Sequence, residues 1–266
     1  MDILRRNLAP ITDEAWAEID EEATRTLRGN LSARSLVDFS GPHGWEMGAL
    51  NLGRVTKEKA IQGVEWGLRE MKPLMEIRVP FTLDQQELDT VIRGSKDPEL
   101  DAVQEAARKV ANFEEKALYG GFPKGSIQGI GEASPHGSVK LQNKPEGVLD
   151  AVESAVMLIQ QAAIGGPYHL VLGTNPYGMV MKSVTQGGAL RRRIEEMTEG
   201  KVHWSPALIG GVLLSARGGD YELTVGQDLS IGYTSQDTKG LHFYITESFT
   251  FQVLEPAAAV RLTANK

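Results

Sequence analysis

Near its end the chain carries a long alternation: Leu241, Phe243, Ile245, Phe249, Phe251 and Val253 interleave with His242, Tyr244, Thr246, Ser248, Thr250 and Gln252. A period of two marks a β-strand with one face buried and one face polar. The sequence therefore predicts a long, half-buried antiparallel strand leading to the C-terminus, and with it a fold built around a sheet. A second alternation supports this: Ile77, Val79, Phe81 and Leu83 interleave with Arg78, Pro80 and Thr82. Val64, Trp66 and Leu68 alternate just before it and read as its opposing arm, in a stretch from Leu50 to Leu83 broken by Gly53, Gly63, Gly67, Pro73 and Pro80. A hairpin of this length has too few sequence neighbours to cover it. It is expected to lie against another subunit.

Helices punctuate these strands. Thr12 followed by Asp13 and Glu14 gives a capping side chain and then carboxylates at the positive end of the helix dipole. Trp16, Ile19, Ala23 and Leu27 follow at helical spacing up to Gly29. Asp97 and Pro98 read as an N-cap with proline at the first helical position. From there Leu100, Val103, Ala107, Val110, Phe113 and Ala117 predict a helix of roughly 30 Å, ending at Gly120 and Gly121. After the turn GGFPKGSIQGIGEASPHG the chain mixes elements: a helix from about Gly147 to Ile164, a strand Tyr168 to Leu172, a helix opened by Asn175 and Pro176, and another around Arg191 to Thr198. Strands at Gly211 to Arg217 and Tyr221 to Val225 follow. The pattern is mixed helix and strand, with no internal repeat.

Chemistry is harder to find. With no cysteine among 266 residues, disulfides, thiolate metal sites and cysteine nucleophiles are excluded. His43, His136, His169, His203 and His242 are scattered without metal-ligand spacing, and none lies in a nucleophile-elbow context. No catalytic residue and no metal site is predicted. Gly129, Ile130 and Gly131 begin a dinucleotide-like pattern, but Ser134 stands where its last glycine belongs, so a turn is the reading. Asp20 to Glu22 read as a solvated helix face, and Arg191 to Arg193 as a face balanced by Glu195, Glu196 and Glu199. A formal net charge of −7 argues against wrapping nucleic acid. No stretch approaches the roughly 18 apolar residues of a membrane span. The start MDILRRNLAPITDEAW turns acidic before a signal-peptide core could form, so a cytoplasmic protein is expected.

Seven segments, in order and across nearly the whole chain, carry a resemblance. They are LAPITDEAWAEIDEEA near the start, LVDFSGPHGWE (36–46), VPFTLDQQELD (79–89), IRGSKDP (92–98), GPYHLVLG (166–173), RGGDYELTVGQDLSIGY (217–233) and ESFTFQVLEP (247–256). Together they resemble type 1 encapsulin shell proteins, the family that includes linocin- and bacteriocin-labelled members. The resemblance implies an α+β fold of the Hong Kong 97 phage major-capsid kind. Its implied parts are a lumenal N-terminal helix and the start of a peripheral domain (1–49), an extended loop (50–80), a peripheral domain with a spine helix (81–124), an axial domain (125–225) and the C-terminal strands of the peripheral domain (226–266).

The function implied is a non-enzymatic subunit that assembles with itself into an icosahedral shell, in the smallest form of that symmetry. Such a nanocompartment encloses a cargo enzyme held by a C-terminal targeting peptide, a ferritin-like protein or a dye-decolourising peroxidase, hence iron storage or oxidative stress. Carried over onto this sequence, the peptide groove comprises Leu27, Arg34, Val37 and Asp38 with Asp228, Leu229, Ile231 and Tyr233. The loop Thr185, Gln186, Gly187, Gly188 and Ala189 would line the five-fold pore, without the aromatic and proline that relatives often carry there. Some members stack a flavin on a tryptophan that here is Gln86, preceded by Gln85, so no cofactor is expected. The competing reading is a viral or prophage major capsid protein enclosing nucleic acid. The acidic charge and the lack of a basic arm speak against it.

Overall fold

The structure is a computed structural model that describes residues 3–185 and 188–264. Its organising element is the strand Gly240–Val253. One edge of this strand carries Ser230–Asp237 and, further along, Tyr221–Val225, which in turn pairs in parallel with Asp38–Ser40. The other edge takes Met75–Leu83 antiparallel, with Phe81 opposite Phe243 and Ile77 opposite Glu247.

The predicted strand is present, but it is buried on both faces from Phe243 to Phe251. Its odd-numbered face packs on helices, as the alternation requires. The polar face is covered because the chain folds back over it. Tyr244 donates its hydroxyl to the Ile3 carbonyl at 3.2 Å and lies under the Arg78 guanidinium at 4.0 Å, while Thr246 donates to the Ile77 carbonyl at 2.8 Å. Side chains that look solvent-facing by pattern are thus covered by the adjoining strand Met75–Leu83 and, at Tyr244, by the N-terminal segment 241 residues away.

Two helices close the other face. The first, Asp13–Asn30, is capped by Thr12, whose hydroxyl accepts from the Ala15 N–H. It runs to Asn30, past the Gly29 at which the sequence places its end. The second, Asp101–Gly120, is the predicted spine and ends where Gly121 turns to φ +91°. It begins later than Asp97 and Pro98 suggest, with Leu100 at the N-cap. Asp97 is instead held by Ser95, and Glu99 donates its N–H to Glu87, which staples this turn to the preceding helix Gln85–Ile92. Trp16, Ile19, Phe81, Leu88, Val103, Val110, Tyr233 and Phe243 form the core between helices and sheet. Phe243 sits at its centre, edge-on to Trp16 at 5.3 Å and to Tyr233 at 5.8 Å and stacked on Phe81 at 5.6 Å.

A second sheet runs in the order Val139–Leu141, Ala259–Ala264, Gly211–Ser215, Tyr168–Leu172, Val202–Trp204. The helices Pro145–Gln161, Thr174–Lys182 and Leu190–Thr198 accompany it, and its core joins the C-terminal half of the spine. The helix at 174 is capped by Gly173, one turn position ahead of the predicted Asn175 and Pro176.

The hairpin is built differently from its sequence-based reading. Ala49–Val55 pairs with Arg69–Pro73, not Val64–Leu68 with Met75–Leu83. The latter strand is taken by Gly240–Val253, which offers a longer apolar edge. Val55, Ile61, Val64, Leu68 and Met71 are each more than half exposed on this arm.

Candidate functional site

Arg34 stands on the one-turn 3-10 helix Ala33–Ser35, just after the N-terminal helix ends. Its guanidinium gathers three carboxylates from three distant parts of the chain. Nε and Nη2 donate to Glu114 of the spine (3.0 and 2.7 Å), Nη2 also to Glu247 of the central strand (2.5 Å), and Nη1 to Asp228 (2.8 Å). Glu114 and Glu247 are fully buried, whereas the Asp228 side chain is 40% exposed. Burial pulls the Arg34 guanidinium down, but hydrogen bonding and attraction from Glu114, Glu247 and Asp228 outweigh it, and the group is held firmly charged. Asp228 also accepts the Leu229 N–H at 2.8 Å, which fixes the bend into the strand Ser230–Asp237.

Around this hub the sequence-predicted groove residues divide. Ile231 and Tyr233 are buried in the Phe243 core, and Leu27 and Leu229 lean on the same core half-exposed. Val37 packs on the other core beside the second sheet, and Asp38 accepts the Gly219 N–H at 2.6 Å. The structure thus joins Arg34 directly to Asp228 and brings Leu27, Leu229, Ile231 and Tyr233 to one apolar core, where of these four only Leu27 and Leu229 are partly exposed. Val37 and Asp38 flank it. Ser230–Asp237 is a sheet edge: the Tyr233 N–H points away from Gly240–Val253 and donates to the Leu4 carbonyl at 2.8 Å. Gly232 is required here, since a Cβ would lie 2.3 Å from the Tyr244 ring.

Residues outside the sequence-based prediction hold the hub. Glu115 accepts from the Ser32 and Ala33 N–H groups (2.8 and 2.7 Å) and from the hydroxyls of Ser32 and Ser205 (both 2.6 Å), so it clamps the turn that carries Arg34 to the spine. Burial pushes its carboxyl above the usual range, partly offset by these donors. A signal for such residues does exist in the sequence. Glu247 has the parity of Phe243, Ile245, Phe249 and Phe251, and Glu114 sits four residues after Val110 on the apolar stripe of the spine. A carboxylate in a slot reserved for an apolar side chain must find a buried partner.

Elsewhere, Val184–Thr185 pairs with Gly188–Ala189, so Thr185, Gly188 and Ala189 of the predicted pore loop belong to a short antiparallel pair. Gln186 and Gly187 lie outside the described residues. Arg191 and Arg192 pair with Glu195 and Glu196 at 2.9 and 2.7 Å, the balanced helix face the spacing predicts. Among the described residues no group of three or more His, Asp or Glu is placed to hold a metal ion, and no helix is long and apolar enough to cross a membrane. Gln86 is exposed in the first turn of Gln85–Ile92, where it offers an amide and no ring for a flavin to stack on. This position does not fit that cofactor.

Comparison with known proteins accords with this architecture. A family model described as encapsulating protein for peroxidase matches residues 1–250. A type 1 encapsulin shell protein of Rhodospirillum rubrum is 42% identical over 98% of this chain and 96% of its own length. One of Mycobacterium tuberculosis is 38% identical over 99% of this chain and 100% of its own. Among solved structures, the virus-like particle from Pyrococcus furiosus superposes with TM-score 0.66 at 15% identity, covering 93% of this chain and 98% of that one. The protein of Mycobacterium phage Bobi superposes with TM-score 0.60 at 9% identity, covering 89% and 91%. These two speak for the fold alone, which is that of Hong Kong 97-like phage capsid proteins. With full-length matches at this identity, the chain belongs to the family of type 1 encapsulin shell proteins.

Proposed function

We propose that copies of this chain close into an icosahedral shell that encloses a cargo enzyme and admits small solutes. The observation that carries the self-assembly is the arm 49–73, whose row of Val55, Ile61, Val64, Leu68 and Met71 is exposed on the single chain. An apolar strip of this size is costly in water and calls for cover, and identical copies related by closed symmetry supply it. The parts of the shell follow from this reading: a lumenal helix, the arm as extended loop, a peripheral domain around Gly240–Val253, and an axial domain within 125–225 whose sheet also takes Ala259–Ala264.

The cargo site in this reading is the apolar patch of Leu27 and Leu229, underlain by the buried Ile231 and Tyr233, beside the Arg34–Asp228 pair. An apolar strip along a sheet edge, with one ion pair at its rim, suits an extended peptide with alternating apolar side chains. Many copies lining one lumen add avidity for an oligomeric cargo. A ferritin-like protein or a peroxidase with a C-terminal targeting peptide is the proposed occupant, in an iron-handling or oxidative-stress role in the cytoplasm. The segment 185–189 is the proposed five-fold pore loop.

Size-exclusion chromatography of the isolated chain tests the first part. A megadalton-scale species is expected, and a stable monomer at micromolar concentration refutes it. Leu229→Asp tests the second by placing an unpaired charge among apolar contacts. Shells should form and come out empty of co-expressed cargo, whereas unchanged loading moves the groove elsewhere. Packaged nucleic acid in purified shells, read by absorbance, would favour the capsid alternative.

A further inference from the structure

Glu247 is an anomaly on its strand. It is fully buried, and its Oε1 accepts from Arg34, but its Oε2 is sealed from water with no donor directed at it. An ionised carboxylate can only accept, so a buried oxygen without a donor is expensive. Glu114 is buried just as completely, and its Oε2 accepts from the same Arg34 Nη2 that donates to Glu247. One positive charge therefore faces three carboxylates, of which only Asp228 reaches water.

A hydrogen on Glu247 Oε2 resolves this. The orphan acceptor becomes a donor, Glu114, which meets Glu247 on the same Arg34 Nη2, is the carboxylate at hand to accept from it, and the sealed part of the cluster comes to one negative charge against one positive. We propose that Glu247 and Glu114 share a single proton in the folded subunit at neutral pH, and that this proton keeps Arg34 seated between the spine, the central strand and Asp228. The part concerning Arg34 at the rim of a peptide groove rests on the function proposed above, whereas the shared proton does not.

The electrostatics of the site point the same way. Burial is the largest influence on Glu247, followed by repulsion from Glu114. Arg34 opposes them, and hydrogen bonding to Glu114 and repulsion from Asp228 add to them, so the carboxyl is pushed well above its usual range. The turn supplies Arg34, the spine supplies Glu114 and Glu115, and the loop before Ser230 supplies Asp228. On the adjoining strand Glu76 and Arg78 flank Ile77, the residue opposite Glu247, but they are exposed and lie 3.6 Å from each other.

The sign of the pH effect follows. A carboxyl raised in the folded state holds a proton that the unfolded chain has already lost, so its contribution is fully present below the ordinary glutamate range. It declines as pH rises toward the raised value. One proton changes the folding equilibrium by up to about tenfold per pH unit across that window. Above it, two sealed negative charges compete for one guanidinium and draw Arg34 inward, off Asp228.

Glu247→Gln tests the idea on empty shells. The amide is nearly isosteric, permanently neutral, still accepts from Arg34 and donates to Glu114. Infrared difference spectra of the wild-type shell at neutral pH should contain the carbonyl band of a protonated buried carboxyl, and Glu247→Gln should lack it. The wild-type unfolding midpoint should fall from mildly acidic to mildly alkaline pH more steeply than that of the variant, by up to about tenfold in the equilibrium per pH unit. Glu114→Gln leaves Glu247 beside Arg34 alone and should also abolish the band, so it carries both measurements if Glu247→Gln does not assemble. Absence of the band from wild type, or equal pH slopes in wild type and variant, overturns the proposal. Neither readout involves cargo, so a groove located elsewhere would leave both results unchanged.

Discussion

Removing Glu115 should do as much damage as removing a large buried apolar side chain, and replacing it with glutamine should do almost none. The carboxylate takes four donors, two of them the backbone N–H groups of Ser32 and Ala33. Glu115→Ala strands both amides in a region where Ala33 and Tyr119 are almost completely buried. Each orphaned buried donor costs about 1–3 kcal/mol. With the lost Ser205 bond, the total is about 3–5 kcal/mol per subunit, the range found when one member of a buried polar network is deleted. At ~2–4 °C per kcal/mol for a chain of this size, the melting point should fall by roughly 10 °C. Glu115→Gln retains an oxygen for the two amides, and its NH2 can donate to Ser32 and Ser205, whose hydroxyls rotate to accept. It also removes a carboxyl that burial holds above its usual range, so its stability should decline less than that of wild type as pH rises above the ordinary glutamate value. Melts of both variants by circular dichroism check this. The reasoning is refuted if Glu115→Ala melts with wild type, or if Glu115→Gln falls as far as the alanine variant.

Two other substitutions probe the site's surroundings. Gly232→Ala would drive a Cβ into the Tyr244 ring, whose hydroxyl holds Ile3. A loss of about 1–3 kcal/mol is expected, together with faster proteolysis before residue 9, and an unchanged melt would mean that the ring moves aside freely. Ala189→Tyr adds bulk to the proposed pore loop without asking Gly188, at φ +117°, to carry a side chain. Entry of a small substrate to an enclosed reporter enzyme should slow while assembly persists, and an unchanged rate would place the constriction elsewhere.

The legible parts of this fold are those decided by a residue's near neighbours. The strands Tyr168–Leu172 and Tyr221–Val225 match their expected bounds to the residue: the first is a mostly apolar run between Pro167 and Gly173, and the second alternates Tyr221, Leu223 and Val225 with Glu222 and Thr224 up to Gly226. The N-terminal helix is read from its Thr12 cap. What escapes depends on partners far along the chain. Nothing local to Val64–Leu68 says that Met75–Leu83 pairs with a strand beginning at Gly240. Asp97 fits a cap, yet Ser95 holds it, and the Glu87–Glu99 contact fixes a turn that delays the helix. The groove residues, Leu27, Arg34, Val37, Asp38, Asp228, Leu229, Ile231 and Tyr233, all come from a resemblance. The carboxylates that fix Arg34 lie 80 and 213 positions from it, and only their intrusion into an apolar period betrays them.

The long-range pairing of the central strand also sets a timetable for synthesis. Phe81 and Leu83 emerge from the ribosome roughly 160 residues before Phe243 and Leu241, their partners across the ladder. At about 5–20 residues per second, that is a wait of ~8–30 s with an apolar strand edge unpaired. During that interval the second sheet also lacks Ala259–Ala264, so neither sheet can close before the residues from Gly240 onward are made. The edge strand Ser230–Asp237 and the base of the apolar arm thus wait on the same stretch of chain, and each nascent copy acquires both within one short span of translation.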